Sequence, residues 1–358
     1  MENLVENKIL EFYRGKKVFI TGHTGFKGSW LTFLLKLTGA EVMGFSKEPN
    51  TNPNLFSELR HHSNIKSIIN DVCDFEKLQK EILKFNPDFI FHLAAQPLVR
   101  YSYQNSLETY NTNIIGTANI LESCKKLSNE CVVVCVTTDK VYHNFEWEYP
   151  YRETDKLGGV DPYSSSKAAA ELLIESYRNS FFANTGISIS SVRAGNVIGG
   201  GDWSLDRLVP DVVRAVAAGN PVVLRNPGAT RPWQHVLEPI FAYLLLGYHM
   251  HQQKDKYNSS WNIGPYNQDV RSVLEVCEAL INEFGRGHIQ TDNEGFHYHE
   301  AGKLKLDISK FSTAFQWKPK WSAEQAIRIT AAWYSSFING TPAAKLVMND
   351  ISAYLNID

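Results

Sequence analysis

A tyrosine and a lysine one helical turn apart are the residues of this sequence best suited to acid–base chemistry. Tyr163 and Lys167 lie four positions apart in the segment PYSSSK, so both side chains project from the same face of a helix. An ammonium group that close favours the phenolate and lowers the pKa of the tyrosine from about 10. The pair therefore predicts that Tyr163 acts as a base that takes a proton from a hydroxyl group.

Polar residues also follow the apolar run CVVVCV at 131–136. This run has no polar alternation, which predicts a strand that is covered on both faces. The polar segment 137–140 comes directly after it and includes Asp139 and Lys140. We expect this strand end and the tyrosine–lysine pair to share one reacting centre.

A glycine-rich loop lies earlier in the chain, between the apolar run 17–21 and the first predicted helix. Its glycines have the spacing GxxGxxG, which differs from the GxGxxG fingerprint of dinucleotide-binding proteins. Glycines at these positions allow a tight turn and a close approach of the backbone to a pyrophosphate, which the helix N-terminus then binds. A structural turn is the alternative, and the position at the first strand-to-helix turn favours a cofactor site. The residues expected there are Gly22, Thr24, Gly25, Phe26, Lys27 and Gly28.

The residues that would distinguish NAD from NADP are ambiguous. After the second predicted strand, Glu48 is the acidic residue available for a ribose hydroxyl, whereas Lys47 equally suits a 2′-phosphate. Further on, Asp71 and Val72 are expected at the adenine, and a helix cap is the alternative role for this segment. The choice between the two nucleotides stays open at these residues.

The first half of the chain alternates between segments typical of strands and of helices. Strands are expected near 17–21, 41–45, 88–92, 131–136 and 187–192, and helices over 75–85, 111–126 and 166–181. Strict alternation predicts βαβ units, so the fold class is α/β, a Rossmann-type doubly wound parallel sheet. Beyond Asn196, glycines and prolines predict loops and short helices, hence a smaller, interleaved C-terminal substrate lobe. The expected bounds are 1–195 for the NAD-binding domain, with a return segment near 234–264, and 196–358 for the substrate lobe.

Composition argues against several classes of protein. The 358 residues are 43% hydrophobic and 12% aromatic, as expected of a packed globular chain. A formal net charge of −2 provides no overall attraction to nucleic acid or to an anionic membrane. The five cysteines are odd in number and have no CxxC spacing, which favours buried thiols in a reducing compartment. No signal-peptide core is recognisable, and the apolar stretch 240–246 is too short to span a bilayer, so a cytoplasmic location is expected.

Taken together, these motifs resemble the extended short-chain dehydrogenase/reductase family. The resemblance is carried by 22–28, 92–96, Tyr163 with Lys167, and 193–199. Longer stretches are similar to the CDP-glucose 4,6-dehydratases of that family, namely 21–30, 96–100, 199–203 and 231–236. The resemblance implies a bound NAD, with NADP less favoured, a nucleotide-sugar substrate, and a homodimer or homotetramer. It adds Leu93, Ala94 and Ala95 to the cofactor site.

The resemblance also implies roles at the reacting centre. Dehydratases that act on dTDP-glucose have Asp-Glu where this chain has Asp139 and Lys140, whereas the CDP-glucose type has Asp-Lys. The implied reaction oxidises C4 of the sugar, eliminates water across C5 and C6, and returns hydride to C6. By resemblance, Asp139 is the acid, Lys140 is the base, and Thr138 holds the 4-hydroxyl. One departure concerns substrate identity: the family usually continues Lys-Cys-Tyr-Asp-Asn, and this chain has Val141 and His143 at two of these positions.

A nucleotide diphosphate requires cations and amide donors, and arginines suit it because they bind phosphate in a bidentate manner. The candidates are Arg193, Asn196, Arg207, Arg225 and Arg231, of which the resemblance favours Asn196, Arg207 and Arg231. Gln96 and Arg100 are also expected at the substrate. The segment HYHE at 297–300 invites a metal-site interpretation. No further ligand group accompanies it, so no metal is expected, and His299 is expected at the rim of the substrate lobe.

Two alternative functions stay open. A nucleotide-sugar 4-epimerase or reductase would use the same fold, although Asp139 and Lys140 stand where epimerases usually have small residues. A non-catalytic nucleotide-sensing or nucleic-acid-binding protein is the second alternative, and the presence of both Tyr163 and Lys167 argues against it. The helices 111–126 and 166–181 are further expected to form a four-helix contact between two copies, as in related enzymes.

Overall fold

A parallel β-sheet forms the centre of the computed structural model, which describes residues 2–63, 65–291 and 302–356. The strands are β1 (Lys17–Thr21), β2 (Glu41–Ser46), β3 (Lys66–Ile69), β4 (Phe89–His92), β5 (Cys131–Val136), β6 (Ile187–Ala194), β7 (Val197–Ile198), β8 (Val222–Leu224), β9 (Thr230–Arg231), β10 (Gln234–His235), β11 (Ser260–Ile263), β12 (Arg271–Ser272) and β13 (Ile289–Thr291). Within the described residues, seven strands pair in parallel in the order β11-β6-β5-β4-β1-β2-β3. The predicted α/β fold class is confirmed.

Helices cover both faces of this sheet. They are α1 (Glu2–Phe12), α2 (Phe26–Leu37), α3 (Leu55–Ser63), α4 (Phe75–Phe85), α5 (Val99–Gln104), α6 (Ser106–Tyr110), α7 (Gly116–Cys124), α8 (Pro162–Ser180), α9 (Leu208–Ala218), α10 (Leu237–Gln252), α11 (Lys254–Tyr257), α12 (Val273–Phe284), α13 (Ser309–Phe315), α14 (Ala323–Ile338) and α15 (Ala343–Leu355). A π-helical turn, Asn111–Ile115, joins α6 to α7, and 3₁₀ turns lie at Asp139–Val141 and Asn267–Asp269. Helices α4, α7 and α8 pack beside one another, as do α1, α2 and α10.

The side chains of β1 show how the two faces are filled. Val18 and Ile20 are buried in one apolar cluster, together with side chains of α2 and α10. Phe19, between them in the chain, is buried in a second cluster with side chains of α4 and α7. Because successive residues of a strand point to opposite faces, a strand covered on both sides needs the unbroken apolar run that this sequence has. Each such side chain stabilises the fold by about 1.5–3 kcal/mol when fully buried.

Helix α8 begins earlier than the sequence prediction of 166–181. Asp161 precedes it, and its carboxylate accepts a hydrogen bond from the backbone N–H of Ser164 at 2.9 Å. Pro162 occupies the first turn, where a missing N–H costs no hydrogen bond. Tyr163 therefore lies in the first turn of the helix, and Lys167 lies one turn further on.

Part of the second half of the chain returns to the sheet. Helix α10 packs against β5 and β6, and β11 pairs with β6 as the edge strand. The other strands form three small pairs, β7 with β10, β9 with β12 and β8 with β13. The domain bounds 1–195 and 196–358 stay a prediction. In the described part of the chain, no helix has both the length and the apolar character needed to cross a membrane.

Candidate active site

The carboxyl ends of β1, β4 and β5 meet at one edge of the sheet, which is where open parallel sheets bind ligands. A cavity of about 350 Å³ lies beyond this edge. Its wall combines the glycine loop, the strand ends, α8 and the loops of the second half, and it includes Phe26, Lys27, Leu93, Ala95, Arg100, Thr138, Asp139, Lys140, Tyr163, Lys167, Asn196, Arg207, Arg225 and Arg231. The structure thus brings together most of the residues that the sequence singled out.

Two glycines of the loop after β1 have no room for a side chain. Gly22 has a φ of +75°, and a Cβ atom there would lie 2.7 Å from the backbone nitrogen of Ala94. A Cβ atom on Gly28 would lie 2.0 Å from the carbonyl oxygen of Gly22. These close approaches hold the start of α2 against the loop and against the chain that leaves β4. An alanine at either position would displace the loop.

The N-terminus of α2 has the properties of an anion site. Gly25 is its N-cap residue, and among the described residues no side chain caps the first turn, which also lacks an acidic residue. Phe26 and Lys27 line the cavity from this turn. Free N–H groups, the helix dipole and a lysine together fit the pyrophosphate of a dinucleotide. Burial, assisted by the charges of Arg207 and Lys167, lowers the pKa of Lys27 to about 7.

Lys47, at the end of β2, is paired with two carboxylates. Its Nζ atom lies 2.9 Å from Asp71 Oδ2 and 3.4 Å from Glu108 Oε1. Burial alone would raise the pKa of Asp71, but hydrogen bonds from Cys73 and Lys47 lower it. The hydrogen bond to Asp71 in turn raises the pKa of Lys47. The ammonium group that a 2′-phosphate would need is therefore already matched by negative charge.

Thr138, Asp139 and Lys140 lie in a short turn that starts two residues after β5. Thr138 Oγ1 donates a hydrogen bond to Asp139 Oδ1 at 2.9 Å, and Lys140 Nζ lies 3.7 Å from the same oxygen. The other carboxylate oxygen, Asp139 Oδ2, is buried and has no hydrogen-bond partner among the described residues. A buried polar atom without a partner costs free energy. Asp139 Oδ2 is therefore suited to a hydroxyl group of a ligand in the cavity.

Tyr163 and Lys167 reach the same cavity from the start of α8. Lys167 Nζ donates a hydrogen bond to the carbonyl oxygen of Val136 at 3.1 Å. Burial lowers the pKa of Lys167 to about 8. Burial also raises the pKa of Tyr163 to about 12, although a hydrogen bond with Thr138 opposes the rise. The prediction that Lys167 brings the pKa of Tyr163 below its usual value is therefore wrong, because loss of solvent around the phenol outweighs the lowering effects of Thr138 and Arg207.

Three arginines of the cavity wall are paired with aspartates of one loop. Arg207 Nη1 lies 2.8 Å from Asp202 Oδ2. Arg100 and Arg225 both approach Asp206 Oδ1, at 2.7 and 3.1 Å. Arg100 belongs to α5, whereas Arg225 follows β8, so Asp206 joins the Rossmann part of the chain to its second half. All three guanidinium groups remain partly exposed, which suits them to an anionic ligand.

Arg193 is not part of the described cavity wall, and its candidacy as a phosphate ligand is wrong. Its guanidinium is buried and lies 2.7 Å from Glu171 Oε2. The charge that a phosphate would need is thus already matched inside the protein. Arg231, by contrast, lines the cavity, and its Nη1 donates hydrogen bonds to the carbonyl oxygens of Thr230 and Gly302.

Comparison with known proteins identifies the group to which this arrangement belongs. The model of a family described as GDP-mannose 4,6 dehydratase matches residues 19–330. The chain belongs to this family. A CDP-glucose 4,6-dehydratase from Salmonella typhimurium is 43% identical over 350 residues, which cover 96% of this chain and 98% of that protein. A dTDP-glucose 4,6-dehydratase from Haemophilus influenzae is 26% identical and covers 88% of this chain and 97% of its own length.

Solved structures of related enzymes share the fold of this family member. The dTDP-glucose 4,6-dehydratase from Bacillus anthracis, in complex with NAD, has a TM-score of 0.76 at 24% identity, with 92% of this chain and 99% of that chain covered. An epimerase from Methanothermobacter thermautotrophicus has a TM-score of 0.79 at 21% identity, with 94% and 96% covered. The structural likeness concerns the fold alone. The resemblance to nucleotide-sugar 4,6-dehydratases that the sequence motifs carry is confirmed by the family match.

Some residues expected at the site of this dehydratase-family chain lie elsewhere. Gln96 turns inward, where its side chain forms hydrogen bonds with Leu98 and Thr109, and it is not part of the described cavity wall. Val72 follows Asp71 after β3 as expected, but its side chain is buried in the apolar cluster that it forms with α4 and α7. His299 and the segment 297–300 lie outside the described residues. Within the described ranges, no group of three or more histidines, cysteines or carboxylates could hold a metal ion.

Three acidic residues near the cavity were not singled out from the sequence. Asp202 and Asp206 pair with the arginines of the cavity wall, and Glu171 pairs with the buried arginine behind it. Glu171 did have a signal, since it follows Lys167 by four residues and shares its helix face. Asp202 lies in the stretch 199–203 that carries the resemblance, but its pairing with Arg207 was not predicted. Asp206 had no signal, because its pairing with Arg100 depends on how the loop before α9 folds back.

Proposed function

We propose that this chain is a CDP-glucose 4,6-dehydratase, which removes water from CDP-glucose to give CDP-4-keto-6-deoxyglucose. The observation that carries the proposal is the Asp139 carboxylate beside Lys140, with its Oδ2 atom buried and unpartnered among the described residues. To remove a proton from one carbon while a hydroxyl leaves the next, an enzyme needs a base and an acid side by side. The substrate is supported by the Salmonella typhimurium relative.

The glycine loop and the strand ends fit a dinucleotide cofactor. The residues that would hold NAD are Gly22, Thr24, Gly25, Phe26, Lys27 and Gly28 in the loop, Asp71 and Val72 at the adenine, Leu93, Ala94 and Ala95 after β4, and Tyr163 and Lys167. A bound NAD would supply reversible hydride transfer, from C4 in the oxidation and to C6 in the reduction, and would not be consumed. NAD-bound structures of the same fold support NAD as the cofactor.

The first step needs a base for the proton of the C4 hydroxyl. Thr138 and Tyr163 both line the cavity, and Thr138 acts to lower the pKa of the phenol, so the threonine can hold the hydroxyl while the phenolate takes its proton. Because burial raises the pKa of Tyr163 to about 12, nearby cations must favour the phenolate. Arg207 already acts in that direction. Lys167, one helical turn away, supplies the second positive charge.

The second step eliminates water across C5 and C6. In its amine form, Lys140 takes the C5 proton, which the C4 ketone has made acidic. Asp139, in its protonated form, gives its proton to the C6 hydroxyl as the carbon–oxygen bond breaks, and water leaves. Lys140 then returns its proton to C5 as C6 is reduced. The sugar has lost one water, and its C4 is a ketone and its C6 a methyl group.

NAD is the preferred nucleotide in this proposal, and NADP is disfavoured. Lys47 is the cation that would meet a 2′-phosphate, but Asp71 and Glu108 give it two carboxylate partners. A phosphate placed there would face a site with net negative charge. The free ribose hydroxyls of NAD bring no such charge.

A homodimer or homotetramer is proposed for the enzyme in solution. Leu107, Ile115 and Leu172 are exposed apolar side chains on neighbouring helical segments around α6, α7 and α8. Apolar side chains grouped on one surface mark protein interfaces, and these segments match the helices expected to form a four-helix contact. The mass in multi-angle light scattering tests this directly: a dimer or tetramer supports the contact, and a monomer rejects it.

Mass spectrometry of the reaction tests the proposed activity and its substrate together. The purified chain with NAD is incubated with CDP-glucose and, separately, with UDP-, GDP- and dTDP-glucose. Loss of one water from the CDP sugar alone is the expected result. An isomerised or reduced sugar without loss of water would instead establish an epimerase or reductase.

A further inference from the structure

Glu171 places a buried negative charge directly behind the reacting centre. It lies on α8, one helical turn after Lys167, and its side chain is almost completely buried. Thr137 Oγ1 donates a hydrogen bond to Glu171 Oε1 at 2.5 Å. The other carboxylate oxygen, Oε2, accepts hydrogen bonds from Arg193 at 2.7 Å and from Ser191 at 2.8 Å. Both oxygens of the carboxylate are therefore used.

These contacts join Glu171 to the segment that carries the acid and the base. Thr137 follows the last residue of β5 and precedes Thr138. Arg193, on β6, also donates a hydrogen bond to Tyr142 Oη at 2.9 Å, just after the 3₁₀ turn. The segment 137–142 is thus held at its two ends by one buried ion pair. Removing either contact would loosen the turn that contains Asp139.

The surroundings of Lys167 give the charge of Glu171 a second effect. Lys27 from α2 and His92 from β4 face Lys167 and are repelled by its ammonium group when they are charged. Cys135 faces it from β5, and Tyr163 lies one turn earlier on α8. Burial disfavours the ammonium form of Lys167, and the carboxylate of Glu171 acts against that burial.

We propose that Glu171 is a positioning residue of the reacting centre, which anchors Thr137 and Arg193 at the ends of the acid–base segment and keeps Lys167 in its ammonium form. This inference rests on the proposed dehydratase function, because it assumes that Lys167 assists Tyr163. The role differs from that of a structural ion pair, since the carboxylate acts on an active-site lysine as well as on its own arginine. It predicts a change in pH dependence and not only a change in stability.

The test is the pH profile of kcat/KM for Glu171→Gln. Burial lowers the pKa of Lys167 to about 8, so activity that needs the ammonium form should decline above about pH 8. Without the carboxylate, this decline moves to lower pH by about one unit, a tenfold loss of the ammonium form at a given alkaline pH. Glu175→Gln is the matched control, because Glu175 lies one turn further along the same helix and is exposed. Its profile should be unchanged, and an unshifted profile in folded Glu171→Gln overturns the proposal.

A second variant covers the case in which Glu171→Gln fails to fold. The single substitution leaves Arg193 buried without its carboxylate, which is strongly destabilising. The double variant Glu171→Gln with Arg193→Gln removes both charges and should fold, with the decline in activity still displaced to lower pH. If the activity of the double variant declines at the same pH as that of the unmodified chain, the effect of Glu171 is structural and the proposal is wrong.

A direct titration separates this proposal from the proposed function. Lysine labelled with ¹³C at the ε-carbon reports its own protonation by NMR, and Lys167→Arg identifies the signal of Lys167. A midpoint that is lower in Glu171→Gln than in the unmodified chain supports the role of Glu171, even if no nucleotide sugar loses water. Equal midpoints overturn it, even if the chain is an active dehydratase.

Discussion

The ammonium group of Lys140 lies 3.7 Å from the carboxylate of Asp139, and that carboxylate is almost completely buried whereas Lys140 is partly exposed. The two side chains leave one short turn after β5, so a single strand end supplies both groups to which the proposed mechanism assigns the base and the acid. Their separation allows the pair to serve adjacent carbons of a sugar. This relationship distinguishes the site from one that only oxidises and reduces a hydroxyl.

Removal of the Lys140 amine should stop the elimination and spare the oxidation. Lys140→Gln is expected to lower kcat for water loss by about 10²–10⁴-fold, because a positioned base contributes that much. Oxidation of C4 should still proceed, so NADH should accumulate on the enzyme and be visible by its absorbance. Lys156→Gln, at an exposed lysine of the next segment, is the control. Equal loss of NADH formation and of water loss would contradict the assigned role.

Tyr163 should be needed for the oxidation of C4, the step that precedes the elimination. Tyr163→Phe removes the base for the C4 hydroxyl and is expected to reduce kcat/KM by about 10²–10⁴-fold. In contrast to Lys140→Gln, this variant should not accumulate NADH when CDP-glucose is added, because oxidation itself is slowed by that factor. Tyr177→Phe removes a phenol from the same helix outside the cavity wall and should retain full activity. NADH formation by Tyr163→Phe at the unmodified rate would show that another group is the base.

The carboxylates beside Lys47 should exclude NADP. The double variant Asp71→Asn with Glu108→Gln keeps the size of both side chains and frees the ammonium group for a 2′-phosphate. The ratio of the Kd values for NADP and NAD, measured by calorimetry, should fall by about tenfold, which corresponds to about 1.4 kcal/mol of repulsion removed between partly exposed carboxylates and the phosphate. Glu76→Gln, at an exposed carboxylate at the start of α4, should leave the ratio unchanged. An unchanged ratio in the double variant would place nucleotide selection elsewhere.

Glu238, on α10, should make stability depend on pH. Burial raises its pKa to about 7, although hydrogen bonds from the backbone N–H groups of Trp321 and Lys320 and from Tyr354 oppose this. A raised carboxyl pKa means that the folded chain holds a proton that the unfolded chain releases, so stability falls as pH rises from about 4.5 to about 7. The fall attributable to Glu238 is about 3 kcal/mol at most.

Denaturant unfolding of Glu238→Gln over this pH range tests the effect. The variant should gain stability over the unmodified chain as the pH rises, because a neutral amide has no proton to lose. Glu324→Gln, at an exposed position of α14, should track the unmodified chain at every pH. A constant difference between Glu238→Gln and the unmodified chain would show that Glu238 ionises alike in the folded and unfolded states.

The sequence predicts those parts of the site that depend on local spacing. The glycine loop, the pair Tyr163 and Lys167, and the turn with Asp139 each lie within a few residues, and the alternation of strands places all of them at one edge of the sheet. The sequence could not predict how burial changes the pKa of a side chain. The pKa of Tyr163 was therefore expected below its usual value, whereas burial raises it. It also could not show that Arg193 is matched by Glu171, because that contact joins a strand to a helix in three dimensions.

The ion pairs at the cavity wall also could not be predicted from the sequence. Asp206 meets Arg100, which lies more than a hundred positions earlier, and this contact depends on the loop before α9 folding back over α5. Neither the hydrophobic periodicity nor the spacing of motifs in the sequence predicts a contact between residues so far apart in the chain. Arginine content alone indicates an anion site, and only the structure distinguishes the guanidinium groups of the wall from the one that is buried.

Transfer of an isotope from C4 to C6 of the sugar distinguishes a 4,6-dehydratase from an epimerase or a reductase. CDP-glucose that carries deuterium at C4 is incubated with the purified chain and NAD, and the product is analysed by NMR and mass spectrometry. A 4,6-dehydratase gives loss of one water, deuterium in the new methyl group at C6, and no net NADH. Deuterium that remains at C4 of an isomerised sugar, or that leaves the sugar in released NADH, would contradict a 4,6-dehydratase.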